Sequence, residues 1–198
     1  MSASRAVAAT PEAPDSGDAL VLDRVSFALG PQRVGEVSMR VGEGEIVGLL
    51  GPKGAGKKAL LRVIAAESKP LAGRIWTNHV DITALGLRAR QDAGVFVCLH
   101  DHRRLRANRS MLEIVAAAIH REPKVLIVDE PFRRVEDTMR RQMLIALFEI
   151  CRDAGLGVLM TDHDVRAALS LVDRAYLMHE GKILVAGTPD DLLRQQND

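Results

Sequence analysis

The sequence predicts an α/β fold: a mainly parallel sheet flanked by helices, with an antiparallel β layer at the N-terminal side. Three observations carry this. Short, almost continuous apolar runs at 45–50, 95–99, 124–128 and 156–161 read as strands buried on both faces, the pattern of a parallel sheet. Segments with helical periodicity stand between them, at 57–66, 110–121 and 137–153. Two further strands, 19–27 and 34–41, precede this alternation with no helix between them.

The remaining elements follow in chain order. The turn Gly42-Glu43-Gly44 leads into the run at 45–50, which Gly51-Pro52 ends. Short strands at 73–77 and 80–82 are spaced to pair, and 84–92 reads as a helix. Ser110 and Glu113 form a capping box for the helix at 110–121, which Pro123 stops. On the helix ended by Gly155, Met139, Met143, Leu147 and Ile150 recur at helical spacing and are expected in the core. A helix at 164–171 comes next. Strands at 175–178 and 182–185 then flank Glu180-Gly181, a hairpin turn.

Composition narrows the class. The chain has 198 residues, 47% hydrophobic and 27% charged, enough for one domain with a sizeable core. Lys plus Arg is 27 against 26 Asp plus Glu, so the balance gives no reason to expect nucleic acid as a partner. Cys98 and Cys151 lie in apolar runs and read as buried thiols of a reducing compartment. No run approaches the roughly 18 apolar residues of a membrane span. Residues 1–18 are rich in Ala, Ser, Pro, Gly and acid and lack a signal-peptide pattern. They are expected to form a disordered tail before a domain at 19–198, in a cytoplasmic protein.

Three motifs end three strands. Gly51-Pro52-Lys53-Gly54-Ala55-Gly56-Lys57-Lys58, followed by Ala59, leaves an apolar strand and opens a helix. Its glycines let backbone N–H groups converge on phosphate oxygens, and Lys57 reaches the β- and γ-phosphates. In the pattern G-x-x-x-x-G-K-[ST], Lys58 occupies the place of the hydroxyl that ligates Mg²⁺. An ammonium group has no acceptor, so Lys58 cannot coordinate a cation and repels one, while Lys53 adds to the pull on anions.

The second motif, Val125-Leu126-Ile127-Val128-Asp129-Glu130, sets two carboxylates at a sheet edge. Asp129 is the candidate Mg²⁺ contact and Glu130 the candidate base for an attacking water. The third is Thr161-Asp162-His163, with His163 at the next strand end, within reach of a terminal phosphate. Any one alone has an ordinary structural reading. The three in this order point to one nucleotide site.

In these residues the chain resembles the ATP-binding, or nucleotide-binding, family of ABC transporters, most like its lipopolysaccharide-export and branched-chain amino-acid members. The likeness runs from about residue 20 to 195 through 44–52, the loop, Asp81-Ile82-Thr83, 123–132, 155–163, 176–179 and Gly187-Thr188-Pro189. It implies a P-loop NTPase core that binds ATP with Mg²⁺. In that scheme Lys57 is the phosphate lysine, Asp129 the metal-associated aspartate, Glu130 the general base and His163 the γ-phosphate switch. It also implies a head-to-tail homodimer, transmembrane transporter subunits as partners, and a peripheral place on the inner face of the cell membrane.

The departures from the family pattern are specific. No Leu-Ser-Gly-Gly signature occurs; its slot falls on Leu105-Arg106-Ala107-Asn108-Arg109. Only His100 to Arg104 separates that slot from the strand ending at Leu99, so the helical subdomain is absent or vestigial. The glutamine expected after that strand is missing. The adenine-stacking aromatic should fall near Ala28, and Phe27 is one position off, which on a strand points the other way. Glu136, preceded by Arg133 and Arg134, replaces the aspartate of the dimer-contact loop.

The basic run from His100 to Arg109 reads as a solvated loop bridging a deletion, and His100 and His102 lack a third metal ligand nearby. Three readings stay open: an ATP-binding transporter subunit impaired in hydrolysis, a non-hydrolytic nucleotide-binding or partner-interaction module, and a remnant that keeps the fold alone.

Overall fold

The computed structural model describes residues 14–99, 117–132 and 137–194. In chain order its strands are β1 (Asp18–Leu29), β2 (Gln32–Gly42), β3 (Ile46–Leu50), β4 (Ala72–Thr77) and β5 (Val80–Asp81). They continue with β6 (Val95–Cys98), β7 (Val125–Asp129), β8 (Gly157–Asp162), β9 (Arg174–His179) and β10 (Lys182–Gly187). The helices are α1 (Lys57–Ile64), α2 (Leu87–Asp92), α3 (Asp137–Ala154), α4 (Val165–Leu169) and α5 (Pro189–Arg194).

The strands form the two layers that the sequence predicts. An antiparallel sheet runs β2-β1-β4-β5, and a second sheet runs β10-β9-β3-β8-β7-β6. In the second, all neighbours are parallel except the β9–β10 hairpin. Its strands alternate between two apolar clusters. Val47, Leu49, Val125, Ile127 and Leu159 face α1 and the antiparallel layer, whereas Ile46, Leu50, Leu126, Val128 and Met160 face a cluster containing Cys151 and Leu169. Burial on both sides explains why these strands are apolar at every position.

Several local readings shift. Met139 is 57% exposed, while Met143 and Ile150 are half-buried. Periodicity fixes which residues share a stripe, not how far along the helix the packing extends, and on α3 contact with the second cluster includes Met143 but not Met139. The side chain of Leu147 lies outside the described residues, as do residues 100–116 with the signature slot and the capping box, and 133–136. Near the start of β1, Arg40 Nη1 reaches Asp18 Oδ2 at 2.6 Å and Asp15 Oδ2 at 2.8 Å. Both cysteines are unbridged, and burial pushes the Cys98 thiol up to about 11 and the Cys151 thiol up to about 12. Among the described residues no helix is long and apolar enough to cross a membrane.

Two polar side chains stitch the layers together. Arg90, 2% exposed, donates from Nε to Leu85 O, from Nη1 to Val63 O and Ile64 O, and from Nη2 to Thr83 O. It thus ties α2 to the last turn of α1. Arg174 on β9 grips Glu45 with both ends of its fork, at 2.8 and 2.9 Å, and donates to Arg40 O and Tyr176 Oη. The Glu45 hydrogen bond raises the already high pKa of Arg174 further. Because Arg174 joins the parallel sheet to β2, Arg174→Ala should lower stability by about 1.5–3 kcal/mol, the range for hydrogen bonds to charged groups, at this half-buried site. A urea unfolding midpoint within error of the parent would contradict it.

Candidate functional site

The parallel register brings the three motifs to one edge. β3, β8 and β7 lie side by side, so their C-terminal ends deliver Gly51, Thr161-Asp162-His163 and Asp129-Glu130 to the same rim. Ligands of open parallel sheets bind there.

The loop after β3 turns through Gly56, the N-cap of α1, whose φ is 102° in the left-handed region. Gly56 makes no side-chain cap, so the first N–H groups of an eight-residue helix face outward with no capping oxygen. An anion fits such an end. Lys57 is the first helical residue and is buried, with Nζ donating to Gly51 O and, at 3.0 Å, to Pro52 O. Burial lowers its pKa, opposed by the charges of Glu130, Asp162 and Asp129. Lys53, Gly54 and Lys58 are exposed on the rim, Ala59 is half-buried and Ala55 is buried.

These residues border a cleft of about 250 Å³ lined by 53–59, Asp129, Glu130 and Leu29. Gly51 and Pro52 do not line it; they meet it through Lys57, whose ammonium donates to their carbonyls. His163 also lies off the wall; its Nδ1 is 3.6 Å from Glu130 Oε1 and 3.5 Å from Asp162 Oδ1. Sequence reasoning therefore places every candidate at one rim, and the structure distinguishes lining residues from supporting ones.

Three further residues shape the site in ways that the sequence does not assign to them. Thr161 Oγ1 donates to Asp129 Oδ1 at 2.8 Å and accepts the Glu130 N–H at 3.0 Å, fixing both acids from the neighbouring strand. Glu130 sits there at φ 44°, a conformation that side chains other than glycine adopt at a cost. Asp162 Oδ1 accepts the N–H groups of His163 and Asp164, shaping the turn that presents His163. The signal for Asp162 was its place just after an apolar strand; Thr161 gave none, because its partner is 32 residues away. Leu29, the third, lines the cleft from the end of β1, a strand of the other sheet.

A triphosphate fits this donor set. For Mg²⁺ the chain offers the carboxylate of Asp129 on the cleft wall, and Lys58, which has no acceptor atom, at the loop position of the hydroxyl ligand.

The ABC transporter family model matches residues 34–114. The lipopolysaccharide export system ATP-binding protein LptB of Escherichia coli (strain K12) is 32% identical over 85% of this chain and 89% of its own length. The spermidine/putrescine import ATP-binding protein PotA of Treponema pallidum (strain Nichols) is 28% identical over 90% of this chain and 59% of its own. A nucleotide-free ATP-binding cassette from an ABC transporter superposes with a TM-score of 0.78 at 17% identity, covering 91% of this chain and 96% of that one. An ABC transporter ATP-binding subunit gives 0.73 at 22% identity over 90% and 93%. Its motifs at one sheet edge and its extended identity to these relatives agree, and the chain belongs to the ATP-binding family of ABC transporters.

Proposed function

We propose that this shortened ATP-binding subunit holds ATP through residues 51–59 with little help from Mg²⁺ and hydrolyses it slowly or not at all. The observation that carries the reading is the pair Lys57 and Lys58 at the mouth of α1: the first keeps the phosphate cation, and the second puts an ammonium where a metal ligand belongs. Lys57 leaves the carbonyls of Gly51 and Pro52 to meet the β- and γ-phosphates. Asp129 stands at the metal end of the cleft, Glu130 orients the attacking water, and His163 contacts Glu130 and the terminal phosphate. With Lys58 present and the Leu-Ser-Gly-Gly signature missing, the electrostatic stabilisation of a transferring phosphoryl group is incomplete.

Likeness to the lipopolysaccharide export protein supports a place beside transmembrane transporter subunits, at the inner face of the cell membrane, with a second copy of the chain as a natural partner. The same Lys58 favours a second reading, a nucleotide-binding module that serves a partner without turnover.

ATP titration with and without Mg²⁺ tests the proposal. The dissociation constant should change less than about threefold on adding the metal, and Lys57→Ala should weaken binding at least about tenfold, the loss of one charge-assisted contact. Lys58→Thr should bring Mg²⁺ dependence without rapid phosphate release. Strong strengthening of the parent by Mg²⁺ would sink the idea, and no affinity for ATP at all would leave only the fold remnant.

A further inference from the structure

The chain has six aromatic residues: Phe27, Trp76, Phe96, Phe132, Phe148 and Tyr176. Among the described residues, none lines the cleft. Phe27 is fully buried beneath the loop, its ring 3.6 Å from where a side chain on Gly56 would begin. Tyr176 is buried with its hydroxyl accepting the Arg40 N–H. Phe132 is buried in the second cluster and Phe96 packs against it under Arg121, on the face of the sheet away from α1. Phe148 belongs to α3, which packs on that same far cluster. Trp76 pairs with Val21, eight residues along β1 from Leu29, roughly 26 Å at the rise of an extended strand.

What borders the cleft instead is charge. Lys53, Lys57 and Lys58 supply three ammonium groups within six residues, opposite Asp129 and Glu130. Among the described residues, the lining side chain outside the loop and these two acids is that of Leu29. An aliphatic side chain covers a base without reading its edge or stacking on its face, so it separates one base from another poorly. Three cations read phosphate oxygens through charge alone.

We infer that this cleft selects its ligand by the polyphosphate chain and not by the base, so that its ligand class is any nucleoside triphosphate, with inorganic tripolyphosphate as the minimal member. The inference rests on the nucleotide-binding reading above and deepens it.

Calorimetric titration of the full chain with ATP, GTP and sodium tripolyphosphate, without added Mg²⁺, tests it. The expected result is three dissociation constants within tenfold of one another. ATP binding more than tenfold tighter than GTP or than tripolyphosphate would overturn the inference while leaving the nucleotide-binding reading intact. Should none of the three bind, that reading falls, and this one with it. Leu29→Trp adds a ring at the cleft and should raise the preference for ATP over tripolyphosphate about tenfold. An unchanged ratio in a variant that still binds ATP would overturn the placement of the base against residue 29.

Discussion

Arg90→Met is expected to cost about 3–5 kcal/mol of stability, the loss of four hydrogen bonds from one buried guanidinium to backbone carbonyls. Methionine keeps most of the stem's volume, so the loss isolates the guanidinium. Four carbonyls, of Val63, Ile64, Thr83 and Leu85, lose the guanidinium, at about 1 kcal/mol each, and Val63 O keeps the Ala66 N–H at 3.1 Å. Two of them belong to the last turn of α1, whose other end carries the phosphate loop. Thermal unfolding followed by circular dichroism should show a midpoint about 10 °C lower, given roughly 2–4 °C per kcal/mol for a chain of this size. Arg90→Lys should recover only part of this, since three donors on a point charge cannot span four carbonyls. A loss below about 1 kcal/mol for Arg90→Met would mean that water replaces the guanidinium without penalty.

Gly51→Ala is the second large effect, and it acts on binding as well as on stability. A Cβ at this position would stand 2.1 Å from the carbonyl oxygen of Met178 on β9, with the backbone at φ 145°. No side-chain rotation relieves a clash with backbone. The loop must move away from β9, which costs about 2–4 kcal/mol by analogy with overpacking and backbone strain. It also displaces the carbonyl that receives Lys57 Nζ. ATP affinity should fall more than tenfold. Gly54→Ala is the control: its Cβ would meet nothing within 4 Å, so only the left-handed φ of 84° opposes it, at about 1–2 kcal/mol. Equal ATP affinities for the two variants would refute the packing argument.

These two residues mark what the sequence could and could not convey. Strands such as β3, β7 and β8 were legible because burial on both faces leaves apolar runs without alternation. The rim residues were legible because loop, acids and histidine each follow such a run directly. Arg90 was not, because an arginine inside Leu87-Arg88-Ala89-Arg90 reads as solvated until α1 is placed beside it. Met139 failed for the opposite reason, since a stripe of apolar residues extends past the surface it packs on. The helix α5 was overlooked although its signal was local. Thr188 and Asp191 exchange hydrogen bonds around Pro189, with Oγ1 to Oδ2 at 2.6 Å, a helix start written in four residues.

The neighbours of β3 carry a temporal consequence. This central strand pairs on one side with β8 and on the other with β9, and with nothing earlier in the chain. A ribosome adding about 5–20 residues per second needs roughly 5–20 s to travel from Leu50 to Gly157. For that interval Ile46–Leu50 is an apolar ribbon with two unsatisfied edges, a natural substrate for chaperones and for misassociation. The phosphate loop waits longer still, because its floor includes Met178 and the Gly181 N–H that binds Ala55 O. Nucleotide capture is therefore among the last properties a nascent copy acquires, and pulse-labelled chains should gain ATP retention only after the β9–β10 hairpin has left the exit tunnel.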